Sequence, residues 1–240
     1  MPAALPEPLA AGIYPTYFLM SQLQLTQPIR LAIIGAGALG QQIAQHARQD
    51  GRYRIAGFFD DTLSLGYATA NGPVLGGIPA AQESHGRGEF DELLMGIGYN
   101  HLAARQRLFE QLTGQGIPFA RFVHRSAWVD ESARLGPGVF VGAGCLLDLN
   151  AELQANIFLN PGCTIAHDST VEAHSFLAPA VHIAGNVRVG ERNFLGIGTT
   201  LIDSVQLAAD VRTGGGTVVT KNLEEAGTYV GVPARRLNKL

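Results

Sequence analysis

The residues best equipped for chemistry in this chain lie in the run Asn160-Pro-Gly-Cys-Thr-Ile-Ala-His167-Asp168. An imidazole with the ordinary pKa of about 6.5 is mostly neutral at pH 7, so His167 can take a proton from an attacking nucleophile. The neighbouring carboxylate of Asp168 can orient that ring and stabilise the imidazolium formed on proton uptake. Gly185 follows His167 by 18 residues, and its amide, with no Cβ in the way of a substrate, is suited to hold a developing oxyanion. Base, orienting acid and anion donor are the parts of a group-transfer site. A solvated corner histidine is the ordinary alternative, so what matters is which element carries these residues.

That element is written in six-residue steps. Val129, Leu135, Val141, Leu147, Leu153, Leu159, Ile165, Val171, Leu177, Ile183, Val189, Leu195, Leu201, Leu207, Thr213 and Val219 follow at a fixed interval, aliphatic at every step but one. Small or β-branched residues come four positions later, among them Ala133, Val139, Cys145, Ala151, Cys163 and Ser169. Such a period is the mark of a hexapeptide-repeat parallel β-helix, whose coils bury one aliphatic residue against the next. With three hexads per coil, Gly185 stacks directly above His167. Cys145 and Cys163 stack in the same way and read as small interior residues of a reducing compartment, with no disulfide framework.

A second chemical signal comes earlier. Ile29 to Ile34 reads as a buried strand, followed by Gly35-Ala-Gly37-Ala-Leu-Gly40 and a helix from Gln41 to Gln49. Strands at Arg54 to Phe59 and Glu92 to Ile97, a helix at Leu102 to Leu112 and a strand at Phe119 to Val123 complete a small Rossmann-like parallel α/β domain. Its glycine loop, Asp60-Asp61 and Gly98 to Asn100 converge beyond the strand ends, where ligands of such sheets bind. Gly35 and Gly37 let the backbone approach a pyrophosphate, the helix amino end attracts the anion, and Asp60 or Asp61 can accept hydrogen bonds from a ribose or base. A nucleotide-linked sugar, a nicotinamide or flavin cofactor, and a purely structural glycine turn all fit this loop. No catalytic partner for hydride transfer accompanies it.

The expected organisation is an extension over residues 1 to 28, the nucleotide-binding domain over 29 to 124, the β-helix over 125 to 220 and a basic tail over 221 to 240. The extension is broken by prolines and has no positive charge before Arg30, unlike a signal peptide; Met20 is an alternative start. A charged fraction of 15% and a net charge of −3 describe a soluble globular protein with no basic field for nucleic acid, and no apolar run is long enough to span a bilayer.

Together the glycine loop, Phe58-Phe-Asp-Asp61, Val74-Leu-Gly-Gly77, Gly96-Ile-Gly98, the Asn160 to Asp168 run, Ala184-Gly-Asn186, Phe194-Leu-Gly196, Gly214-Gly-Gly216 and Gly231-Val-Pro-Ala234 give the chain a resemblance over Ile29 to Arg236. It resembles the hexapeptide-repeat nucleotide-sugar N-acetyltransferases of the bacillosamine and perosamine type, within the sialic acid O-acetyltransferase family. The resemblance implies a left-handed β-helix, a homotrimer with acetyl-CoA between neighbouring helices, and a cytoplasmic role in cell-surface glycan synthesis. It implies that His167 is the base acting on a sugar amine with Asp168 as its partner, and that Asn160 lies in the acceptor pocket. Gly185 would hold the thioester carbonyl, while Ile197, Gly215, Arg235 and Arg236 would line the CoA groove. Asp60 and Asp61 would hold the nucleotide. Transfer to a sugar hydroxyl and a non-catalytic nucleotide-sugar-binding scaffold are the alternatives.

Two positions depart from the family pattern. Leu39 stands where that glycine loop has a more polar residue, and Phe176 stands nine residues after His167, where a second histidine is usual. A zinc hydratase would need three converging histidines, but the offsets of His167, His174 and His182 spread them over different sides of one coil, and no metal is expected.

Overall fold

The structure, a computed structural model, describes residues 27–237, so the expected N-terminal extension lies outside them up to residue 26. Strand β1 (Ile29–Ile34), helix α1 (Ala38–Asp50), strands β2 (Tyr53–Phe59), β3 (Ala68–Thr69) and β4 (Gly72–Gly76), helix α2 (Ala81–Gly86), strand β5 (Glu92–Met95) and helix α3 (Leu102–Gly114) form the first part. The sheet runs β3-β4-β2-β1-β5, parallel except for the β3–β4 hairpin. The sequence pattern marks neither the short α2 nor that hairpin, in which Gly72 and Pro73 interrupt any alternation. Helix α1 buries Gly40, Ile43, Ala44 and Ala47, at the spacing of one helical face.

The expected strand at 119–123 divides. Phe119 bridges Leu93 of the α/β sheet, whereas Phe122–Val123 pairs with Phe140–Val141 and is the first rung of the β-helix. From there each hexad is a short strand, and strands 18 residues apart pair in parallel to build three faces. The first face carries Phe122, Phe140, Phe158, Phe176 and Phe194, the second Trp128, Leu146, Thr164, His182, Thr200 and Val218, and the third Arg134, Glu152, Thr170, Arg188 and Gln206. The next residue of every strand points inward, and the aliphatic column from Val141 to Val219 is almost wholly excluded from solvent. Cys145 and Cys163 are free thiols in the same core, beside that column.

The expected tail continues the fold. Gly227–Val230 adds a parallel strand to the first face, Arg235–Arg236 pairs antiparallel to it, and Leu223, Tyr229 and Ala234 close the end of the core.

The first face explains how the two parts are joined. Its outward phenylalanines stack rung upon rung, with centroid separations of 4.7, 4.4 and 5.0 Å from Phe122 to Phe176, and all four are buried against the α/β domain. Phe176, one of the two departures, is a rung of this ladder. Arg105 of α3 lies fully buried at the same junction, donating to the carbonyls of Met95 and Ile97 and, at 3.4 Å, of Asn156. Desolvation pushes its pKa down to about 9. Phe158→Ala opens a cavity in the middle of the ladder and should cost about 3–5 kcal/mol. A thermal unfolding midpoint equal to that of the wild type would show that the ladder does not hold the domains together.

Candidate active site

Corners between strands place the chemistry. His167 and Asp168 occupy the corner between Thr164–Ile165 of the second face and Thr170–Val171 of the third. Asp168 adopts φ +57°, a left-handed turn that aspartate tolerates better than most residues. Its amide donates to the carbonyl of Leu149 in the coil before, and the carbonyl of His167 accepts from Asn186 in the coil after. The backbone beneath the pair is therefore tied on both sides.

Asp168 Oδ2 lies 3.0 Å from His167 Nδ1. A carboxylate can only accept, so the imidazole donates from Nδ1 and leaves the lone pair on Nε2. Hydrogen bonds from Asn150 and then His167 hold the Asp168 carboxyl below the usual carboxylate range, so it stays an acceptor through neutral pH. Both side chains are about half exposed, which leaves Nε2 accessible.

Gly185 sits one coil above on the same edge, as the 18-residue spacing requires. A Cβ there would come within 2.6 Å of both Cε1 and Nε2 of His167, so the ring edge lies across this glycine. The free nitrogen therefore lies directly beside Gly185. The Gly185 amide donates to Asp203 Oδ1 at 3.2 Å. Asp203 and Asn150 were not picked out from the sequence, although each stands 18 residues from a residue that was.

At the α/β domain, Gly35 has φ +94° and a Cβ at Gly40 would fall 2.0 Å from the Gly35 carbonyl oxygen, so the loop closes only with glycine there. Gly96 abuts Gly35 and Gly40, bringing the third loop against the first. Asp60 is used within the protein: Oδ2 accepts from the Ala36 amide, and Oδ1 from the amide and hydroxyl of Thr62. Partial burial works against its charge, but these bonds hold its carboxyl below the usual range. Asp61 accepts from the Ile78 amide through Oδ1 and is exposed. Gly37 caps α1 without a side-chain bond, so among the described residues the first helical amides have no side-chain partner.

Other expected residues lie elsewhere. Asn160 is nearly buried at the corner between the first and second faces, where its amide donates to the carbonyl of Leu177. Ile197, strongly exposed, and Gly215 directly above it share that edge. One chain therefore does not bring Asn160, Ile197 or Gly215 to His167. Arg235 and Arg236 line a cleft of about 730 Å³ at the end of the β-helix with Lys221 and Tyr229. Arg236 is tied to Glu225, whereas the Arg235 guanidinium donates, among the described residues, only to the Ala234 carbonyl. His174 is buried against Asn156 and Phe109, and His182 projects from the second face, so the three histidines do not converge. Among the described residues, no three His, Cys, Asp or Glu side chains are grouped as a metal site.

The PglD N-terminal domain family matches residues 30–112. PerB from Caulobacter crescentus, solved in complex with CoA and GDP-perosamine, is 32% identical, with a TM-score of 0.80 over 87% of this chain and 97% of that one. The chain belongs to the hexapeptide-repeat sugar N-acetyltransferases. The acetyltransferase domain of PglB from Neisseria gonorrhoeae, solved in complex with acetyl coenzyme A, is 27% identical, with a TM-score of 0.80 over 88% of this chain and all of that domain. WeeI from Acinetobacter baumannii shares the fold at 22% identity and a TM-score of 0.65. No curated protein sequence matches this chain. As a member of this family the chain is an acyltransferase, and its β-helix is left-handed, against the usual right-handed crossover. No helix among the described residues is long and apolar enough to cross a membrane.

Proposed function

We propose that this acetyltransferase moves the acetyl group of acetyl-CoA to the amino group of a nucleotide-linked amino sugar, a cytoplasmic step in cell-surface glycan synthesis. The observation that carries the reading is the His167–Asp168 pair with its free Nε2 laid across Gly185, in a chain whose similar structures were solved with CoA and GDP-perosamine or with acetyl coenzyme A. The sugar amine attacks the thioester carbonyl carbon while His167 Nε2 takes its proton. The tetrahedral oxyanion accepts from the Gly185 amide. As the C–S bond breaks, the imidazolium returns the proton to the CoA sulfur and the amide product leaves.

In this reading the glycine loop, the first amides of α1 and the exposed Asp61 hold the nucleotide, with Asp60 shaping the loop from within. Arg235 and Lys221, at the cleft that closes the β-helix, suit the CoA phosphates. His167 and Gly185 occupy one edge of the prism, and Ile197, Gly215 and Asn160 another. A CoA molecule touching both sets must lie between two chains, which favours a homotrimer. The second face, with Trp128 and Leu146 exposed, is the least polar surface left to pack, since the first is covered and the third is charged.

Labelled acetyl-CoA presented with UDP-, dTDP- and GDP-linked 4-amino sugars tests the proposal. Acetamide formation on one of them supports it; transfer only to a hydroxyl, or to none of the panel, overturns it. A mass in solution equal to one chain would remove the trimer. Because the Asp203 carboxylate occupies the Gly185 amide, the thioester oxygen must displace it. Asp203→Ala should therefore lower the KM for acetyl-CoA by roughly 3- to 5-fold, on the order of 1 kcal/mol for one exposed hydrogen bond. An unchanged KM would show that Asp203 does not compete.

A further inference from the structure

The corner that carries His167 is one of a stack, and the coil before it supplies a partner that the mechanism above does not use. Asn150 stands 18 residues before Asp168, and its Nδ2 donates to Asp168 Oδ1 at 2.9 Å while Oδ2 of the same carboxylate meets His167 Nδ1 at 3.0 Å. Since the carboxylate only accepts, the amide must present its NH2 group. Asn150 is itself fixed. Its backbone amide donates to Ser132 Oγ at 2.8 Å, and that hydroxyl in turn donates to Asp130 Oδ1 at 2.6 Å. A continuous chain of hydrogen bonds thus climbs the edge from Asp130 through Ser132, Asn150 and Asp168 to His167.

The Asp168 side chain is nearly half exposed, so hydrogen bonds rather than burial must set its rotamer. Left alone, its carboxylate can turn to solvent, and the imidazole then loses the acceptor that fixes its tautomer and tilt. With one oxygen tethered to Asn150, the other stays on the ring.

We infer that Asn150 is a positioning residue of the acetyl-transfer site, holding the Asp168 carboxylate on His167 Nδ1 so that the lone pair of Nε2 faces the acceptor amine. This rests on the reading of His167 as the base, and it adds a residue that acts only through Asp168.

Asn150 occupies the left-handed region at φ +57°, so Asn150→Gly and Asn150→Asp both keep a backbone-compatible residue there. Glycine removes the donor; aspartate replaces it with a repelling carboxylate of the same shape. Each variant should lower kcat by about 10-fold or more, the range typical of lost orienting partners, with the KM for acetyl-CoA unchanged. In an Asp168→Ala background Asn150→Gly should cost nothing further, because the residue it acts on is gone. Ring 15N NMR of histidine-labelled protein, with His167→Ala to identify the signal, should show the Nδ1–H tautomer depopulated in Asn150→Gly. That readout needs no substrate, so it separates failure of this inference from failure of the proposed reaction. Wild-type turnover in both variants, an unchanged tautomer, or an equal loss of rate with and without Asp168 would each overturn the role.

Discussion

Replacement of His167 by alanine is expected to lower kcat for acetyl transfer by about 10² or more, with CoA affinity and thermal stability close to wild type. The size follows from what the ring supplies. An amine attacking a thioester must shed a proton as its nitrogen becomes cationic, and Nε2 is the acceptor left free once Nδ1 is committed to Asp168. Stability should hold because the ring is half exposed and the corner is tied through backbone bonds that alanine keeps. CoA affinity should hold because the edge that carries Ile197 and Gly215 is a different one. Steady-state kinetics with calorimetry of CoA binding measure both. A variant turning over at more than about a tenth of the wild-type rate would remove His167 from the role of base.

Gly185→Ala should be nearly as damaging, for a different reason. The added methyl would stand 2.6 Å from Cε1 and Nε2 of His167, inside any tolerable contact. The backbone at Gly185 does not adopt a positive φ, so alanine brings no conformational strain. The obstacle is the end of a rotatable side chain, and the ring can swing toward solvent at little cost to folding. In doing so it must leave the Asp168 oxygen. The expected signature is a loss of about 10² in kcat, as for any reacting group displaced by an ångström or so, at an unfolding midpoint within a degree or so of wild type. Strong destabilisation with normal turnover of the remaining folded protein would contradict the geometry.

The β-helix was legible because its signal is repeated at every hexad and tolerates no insertion. The structure extends the register only one step earlier, to Val123. The apolar run bounds β1 correctly, whereas the helical pattern starts α1 three residues late, because the helix begins inside the glycine loop, directly after Gly37. What periodicity could not show was the outside of the β-helix. Phenylalanine recurs every 18 residues from Phe122 to Phe194, yet each one reads as just another residue before an aliphatic until a domain is seen to cover it.

The site was half legible for a similar reason. His167, Asp168 and Gly185 announce themselves by type and spacing, whereas an asparagine at a left-handed corner such as Asn150 is already explained by its backbone. Asp60 shows the opposite limit: the fingerprint points it at a ligand, but both its oxygens are engaged inside the loop, by a fold-dependent bond to the Ala36 amide and by Thr62.

The 18-residue coil also restricts how such a chain can change length. Loss of six residues between Val141 and Phe158 would leave the aliphatic interior unbroken, so the protein could still wind. Every outward column beyond the cut, however, would turn by one face. Phe158 would leave the ladder for the charged face, and His167 would move to the edge now held by Ile197 and Gly215. Only whole coils can be gained or lost with the columns preserved. Viable length variants of this β-helix should therefore differ by multiples of eighteen, and a shift by six or twelve would keep the fold while scrambling the catalyst.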